Sequence, residues 1–331
     1  MNLNLLRENL IKIRPLLLLV LAAVVAYLAY YLISSIVNPS FGVLAQPTFK
    51  SQVISKPVWV SEALSIPGDQ KAPVYKVTKR GFSVKEAGAL AKKLQFKQAP
   101  KFLQGSVLNW TDKGQQLNIN LDSGDFNYRV TDKSVFLSGT AAVDFDFISA
   151  KGNEYLDSLG VDKSNVDFKR PKVEYYKSSP QTVELGIGTE KDANVVILIY
   201  PKKIAGLNLV DSTGDQTIKV TVTTSGKLIA IHFVRIEFEE GDATYPLEKQ
   251  SVLAETIAKK GAFVVRYKDV DSAPINDPKK VFVSKGNLRL YDDFTGKYIQ
   301  PIFVFDGLVY KNFKSSQVEI YYPAVASKYL K

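Results

Sequence analysis

Cysteine is absent from the 331 residues, and histidine and methionine occur once each. Without a thiol no disulfide can staple the fold, no thiolate can hold a metal and no lipid can be attached through sulfur, so stability must come from apolar burial. The lone His232 lies in the run Leu228-Ile229-Ala230-Ile231-His232-Phe233, and no Gly-x-Ser-x-Gly elbow accompanies it. A Ser-His-Asp device therefore lacks its usual setting, and a zinc site built on several imidazoles is excluded by the count. Gly186-Ile187-Gly188 lacks the third glycine and the helix of a dinucleotide loop. No catalytic residue, metal ligand or cofactor is indicated.

What the chain does have is an uncharged apolar run from Pro15 to Val37. A bilayer core of about 30 Å needs about 20 such residues at a rise of about 1.5 Å, so 15–37 reads as one transmembrane helix. Tyr27, Tyr30 and Tyr31 fall where phenol rings reach the headgroups, and Asn38-Pro39 ends the helix. Arg7, Lys12 and Arg14 face only Glu8, so the positive-inside rule puts 1–14 in the cytoplasm and the remainder outside. A signal peptide cleaved after Val43-Leu44-Ala45 is the alternative, but the apolar run exceeds the roughly 7–15 residues such a segment needs. The expectation is a single-pass protein of the cell membrane, its bulk extracytoplasmic. Its size without disulfides favours a bacterial or archaeal envelope.

The net charge of +10 is unevenly spread. Between residues 71 and 104 lie Lys71, Lys76, Lys79, Arg80, Lys85, Lys92, Lys93, Lys97 and Lys101, opposed by Glu86 alone. Near a membrane such a block would attract anionic lipid or an anionic wall polymer. The reading favoured over that is the solvated face of a helix, because Lys85, Lys92 and Lys93 fall opposite its apolar stripe. Nucleic acid is not expected as a partner, because the topology places the domain outside the cell and the aromatic residues follow strand alternation.

Pro39, Pro47, Pro57 and Pro67, spaced by about ten residues, mark 38–72 as an extended stalk. Val58-Trp59-Val60 could dock on the body. Beyond it, Ser83-Val84-Lys85-Glu86 is a capping box opening a helix whose apolar stripe is Val84, Ala87, Leu90, Ala91 and Leu94. Leu117 to Leu121 and Phe126 to Val130 alternate around a turn at Asp122-Ser123-Gly124, and Thr217 to Thr224 and Lys227 to Phe238 flank Ser225-Gly226, giving two hairpins. Asn194 to Tyr200 is a continuous apolar strand, central in a sheet. Ser149 to Leu159 forms a second helix stopped by Gly160, and Tyr245-Pro246-Leu247-Glu248 opens a third that closes at Gly261. Further strands are expected at Phe263–Tyr267, Ile299–Phe305 and Val318–Tyr322. The division is thus 1–14 tail, 15–37 transmembrane helix, 38–72 stalk, and two α+β lobes at 73–170 and 171–331, each of antiparallel sheets with short packed helices.

The Ser83-x-x-Glu86-Ala87 helix, Trp110 and the following glycine-turn meander resemble the PepSY-like module found outside bacterial membranes. Ser225-Gly226-Lys227, Tyr245-Pro246-Leu247 and the strand Tyr298 to Gly307 are similar to its second half. The arrangement resembles the single-pass accessory regulators that restrain cell-wall-sensing histidine kinases in Gram-positive bacteria. Apart from Gln300-Pro301 the shared positions are caps, turns and core residues, so the likeness implies a fold and carries over nothing catalytic.

Two functions follow as expectations. The first is a membrane-anchored regulatory or binding protein without catalytic activity, whose helix and stalk contact a membrane-protein partner. The second is an envelope enzyme or enzyme inhibitor acting on a wall polymer or peptide through acidic groups, namely Asp144 and Asp146 on one strand face and Asp269, Asp271, Asp292 and Asp293 in loops.

Overall fold

The computed structural model describes residues 20–29, 42–54, 58–60, 66, 71–139, 142–169, 171–178, 185–239, 244–268, 275, 280–294, 296–311 and 314–331. Alternating apolar residues dominate these segments, and the protein is mostly β. Thr217–Thr223 and Leu228–Val234 illustrate the cause: Ile218, Val220 and Val222, then Ile229, Ile231 and Phe233, are buried at every second position, so each strand turns one face inward.

Among the described residues the strands form three sheets. Nine antiparallel strands make the first, in the order Gly186–Ile187, Lys172–Lys177, Val195–Pro201, Thr217–Thr223, Leu228–Val234, Asp125–Val130, Gln115–Asn120, Val107–Asp112 and Lys101–Phe102. Two helices cover one of its faces: α1 (Val84–Lys93) and α2 (Phe145–Leu159). Ala87 and Ala91 from α1, with Ile148, Leu156 and Leu159 from α2, join Trp110, Leu117, Phe126, Leu198 and Ile231 in one core.

The second sheet has eleven strands, built around Lys280–Tyr291, Tyr298–Lys311 and Lys314–Pro323. Phe303, Phe305, Val281 and Ile320 pack against Leu253 and Ile257 of α3 (Gln250–Lys260). Tyr291, Ile302, Val304 and Tyr321 form a separate core. The long strand Tyr298–Lys311 is therefore buried on both faces, which explains its nearly continuous apolar sequence. A two-stranded sheet pairs Lys71–Pro73 with Thr244–Pro246.

Several expectations are corrected here. The α+β description gives way to a mostly β protein in which three short helices pack on large sheets. The sheets are not wholly antiparallel, because Val58–Val60 and Leu207–Asp211 both run parallel to Lys280–Tyr291. No helix of the described residues is long and apolar enough to cross a membrane. Residues 20–29 are helical, a length of about 15 Å where a bilayer core needs about 30 Å, and 1–19 and 30–41 lie outside the described residues. The single-pass anchor, and the cell-membrane location that rested on it, are not supported.

The segment 38–72 is not a free stalk either. Gln52–Ile54 pairs with Ala262–Tyr267, Lys71–Pro73 joins the two-stranded sheet, and Leu44 is fully buried with its amide 2.8 Å from the Tyr329 carbonyl. Its described strands are paired with the body instead of held away from it. Pro39, Pro57 and Pro67 lie outside the described residues. The division at 170 falls within the nine-stranded sheet, which takes strands from both sides of it.

Locally, the reading of 83–94 and 115–130 matches: Ser83 and Glu86 form the reciprocal capping box, and Gln115–Asn120 and Asp125–Val130 form the hairpin. Asp144 and Asp146 are not on a strand; Asp144 caps α2 and Asp146 lies in its first turn. Tyr245-Pro246 does not open a helix but pairs as an edge strand, and α3 begins at Gln250.

Candidate functional site

Among the described residues the chain passes between the two large sheets at four places, and each crossing is marked by a long polar residue. Arg80 ends the strand before α1, Lys202 links Val195–Pro201 to Lys203–Ile204, Gln216 precedes Thr217–Thr223, and Arg235 separates Leu228–Val234 from Ile236–Glu239. A strand that changes sheet loses its ladder partners for a residue, so the amides at the crossings bond outside the regular ladders. The Lys202 amide donates to the Gln216 carbonyl at 2.9 Å, the Gln216 amide to the Leu209 carbonyl at 2.8 Å, and the Arg235 amide to the Gly124 carbonyl at 2.8 Å.

Side chains complete this seam. Asp292 is fully buried and accepts both Arg80 guanidinium nitrogens, Nη1 at 2.9 Å, together with Gln216 Nε2 at 3.2 Å and the Phe294 amide at 3.0 Å. Beside it, Glu86 of α1 binds Lys79 Nζ at 2.8 Å and Arg235 Nη1 at 2.9 Å while serving the capping box. The Lys79 ammonium, then Ser83 and Arg235, hold the Glu86 carboxyl well below the usual carboxylate range. Arg235 also pairs with Glu237 and lies 5.1 Å over the Phe82 ring.

Between α1, the C-terminal end of α2 and this seam lies a cavity of about 480 Å³. Phe82, Leu90, Leu159, Ile204, Ile218 and Phe233 supply its apolar wall. Exposed Ala89, Lys93, Asp162 and Glu237 mark its solvent side, and buried Lys202 lies within it. The volume falls in the range of about 300–1,000 Å³ typical of small-molecule sites, and the lining, mostly apolar with a few convergent polar groups, is of the same kind.

Lys202 is 8% exposed and donates from Nζ to the Val234 carbonyl. Burial pulls its ammonium down from the ordinary 10.5 to about 8, against the opposing pull of Asp292 and Asp211. Between pH 8 and pH 10.5 the unfolded chain keeps a proton on Lys202 that the folded chain has released, so folding gains stability as pH rises. The penalty of about 3 kcal/mol is present in full below pH 8 and gone by pH 10.5. Urea unfolding of the wild type and Lys202→Met at pH 7.5 and pH 10.5 is expected to show the variant losing about 3 kcal/mol relative to wild type over that interval.

Part of the basic block is engaged by acidic partners. Arg80 is spent on Asp292, Lys79 on Glu86, and Lys76 lies 4.0 Å from Glu239. Lys71 is exposed on its edge strand, whereas Lys85, Lys92, Lys93, Lys97 and Lys101 are exposed on or just after α1. Of the acidic groups, Asp292 is a buried ion-pair partner, and Asp293 accepts the Gly296 amide in the adjoining turn. Asp269 and Asp271 lie outside the described residues. His232 stays on its strand and meets Asp125 at 3.0 Å. Lys202 escaped sequence reasoning; its only local signal is a lysine immediately after an apolar strand ending in Tyr200-Pro201.

No family model matches the chain, and no curated protein matches it. A solved structure of an uncharacterized protein from Eubacterium rectale is similar at 14% identity and a TM-score of 0.45, over 80% of this chain and 90% of that one. This likeness shows neither a shared family nor a shared activity. The PepSY-like resemblance gains no support from these comparisons.

Proposed function

We propose that this chain is a binding protein whose ligand is a small, largely apolar molecule lodged in the cavity between α1, α2 and the seam. The observation that carries the reading is the cavity itself, walled by Phe82, Leu90, Ile218 and Phe233, with Glu86, Arg235 and Glu237 of its lining already paired to one another. Water in such a space would find few partners, whereas an apolar ligand would release it. Binding is favoured over turnover because Glu86, Arg235 and Glu237 are engaged in structural ion pairs.

Leu90 is half-buried on α1, so a larger side chain there can project into the cavity without breaking a ladder. Nile red, a neutral apolar dye, is expected to bind the purified chain with enhanced fluorescence. Leu90→Trp is expected to weaken that binding at least tenfold while shifting the melting temperature by only a few degrees. Equal dye binding by the two proteins would place the apolar site elsewhere.

A further inference from the structure

Resting on the reading of the cavity as a binding site, the inventory of charges around it narrows the ligand class. Three cations line the space: Lys93, Lys202 and Arg235. Lys93 is exposed and hydrated, and Arg235 is neutralised by Glu86 and Glu237. Lys202 differs from both. Among the described residues its ammonium, which has three donors, has a backbone carbonyl as its hydrogen-bond partner and no carboxylate within ion-pair distance.

The two carboxylates nearest in effect are already committed. Asp292 is held by Arg80, Gln216 and the Phe294 amide, and Asp211 accepts the Thr213 amide and hydroxyl at 2.6 Å each. Buried charges in proteins are normally paired, and an unpaired one is strongly disfavoured. Val234, whose carbonyl accepts the Lys202 hydrogen bond, is itself a cavity residue, so the contact lies at the cavity wall. The counter-ion missing from the protein can come from the cavity.

We propose that the ligand is an amphipathic monocarboxylate, its hydrocarbon body against Phe82, Leu90, Ile218 and Phe233 and its carboxylate on Lys202 Nζ. A carboxylate there would form a charge-assisted hydrogen bond in a poorly hydrated site, whereas an alcohol of equal length offers only a neutral one.

Displacement of Nile red from the full chain by decanoate and by decanol at pH 7 tests this. The expected result is displacement by decanoate at a concentration about tenfold lower than decanol in the wild type. In Lys202→Met, still binding Nile red, the two should act at equal concentrations. If Nile red binds and Leu90→Trp weakens it, yet decanoate and decanol displace it equally from the wild type, the assignment of the headgroup is wrong and the cavity reading survives. A preference for decanoate that persists in Lys202→Met overturns the role of Lys202. If Nile red does not bind, or binds regardless of Leu90→Trp, both the cavity reading and the headgroup assignment fall. The wild-type comparison needs no variant, so poor folding of Lys202→Met would not shield the proposal.

Discussion

Gly81→Ala is expected to lower the free energy of unfolding by more than about 4 kcal/mol, beyond the range of most single substitutions. Gly81 has φ of +75°, and a Cβ built on it would stand 1.7 Å from the Leu121 carbonyl oxygen and 2.6 Å from its carbon. Both atoms are backbone, fixed because the Phe82 amide donates to that same carbonyl at 2.9 Å. Neither can move without pulling the Gln115–Asn120 strand away from the start of α1. Gly124, at φ of +76°, faces the same corner from the other side, where a Cβ would meet the Arg235 carbonyl at 2.3 Å and the Gly81 amide nitrogen at 3.1 Å. Gly124→Ala should be comparably damaging, and the double variant should lose less than the two effects added, because the two glycines share one contact. Chemical denaturation followed by far-ultraviolet circular dichroism measures all three. A loss under 1 kcal/mol for Gly81→Ala would mean that the corner is looser than this geometry.

Arg80→Met should cost about 3–5 kcal/mol, because it strips the guanidinium from a carboxylate with no exposed surface. Gln216 and the Phe294 amide would remain as partners, but neither carries charge. Replacing both members, Arg80→Met with Asp292→Leu, should recover much of the loss, since the cost arises from the orphaned charge more than from the missing bond. The same denaturation experiment across the two single variants and the double closes the cycle. Because Arg80 also joins the strand Tyr75–Arg80 to the loop after Lys280–Tyr291, its removal should loosen the seam and weaken Nile red binding in parallel.

How much of this could be read from the sequence depends on distance along the chain. The capping box joins Ser83 and Glu86 only three positions apart and is legible, as are the Asp122-Ser123-Gly124 turn and the strand Val195–Pro201 with its unbroken apolar run. The additional duty of Glu86, binding Arg235 across 149 positions, has no local signature. Asp144 misled because an aspartate two positions from another also satisfies strand alternation, and only the capping bond to the Phe147 amide shows that α2 starts there. Pro246 misled because proline suits both the first turn of a helix and an edge strand. Regular prolines between 38 and 72 suggested an extended stalk, and the strands there are indeed extended, but their partners lie beyond residue 240 and leave no mark nearby.

The anchor rests on an apolar run, its tyrosines and its flanking charges, and the described helical stretch does not reach the length that inference requires. The block of basic residues was similarly a statement about composition. In three dimensions Lys79 and Arg80 turn to Glu86 and Asp292, acids that sequence counting placed either alone against nine cations or far away. Lys202 carries no local sign of burial, since Gln216 and Val234, which bond it, follow it by 14 and 32 residues.

The decisive measurement is a map of amide chemical-shift changes across the isotope-labelled full chain during titration with Nile red. Binding in the cavity should concentrate the changes at Phe82, Leu90, Leu159, Lys202 and Phe233, with the exposed edge at Phe102 and Leu103 unaffected. Changes centred on that edge, or spread evenly over the surface with none at the seam, would contradict the account.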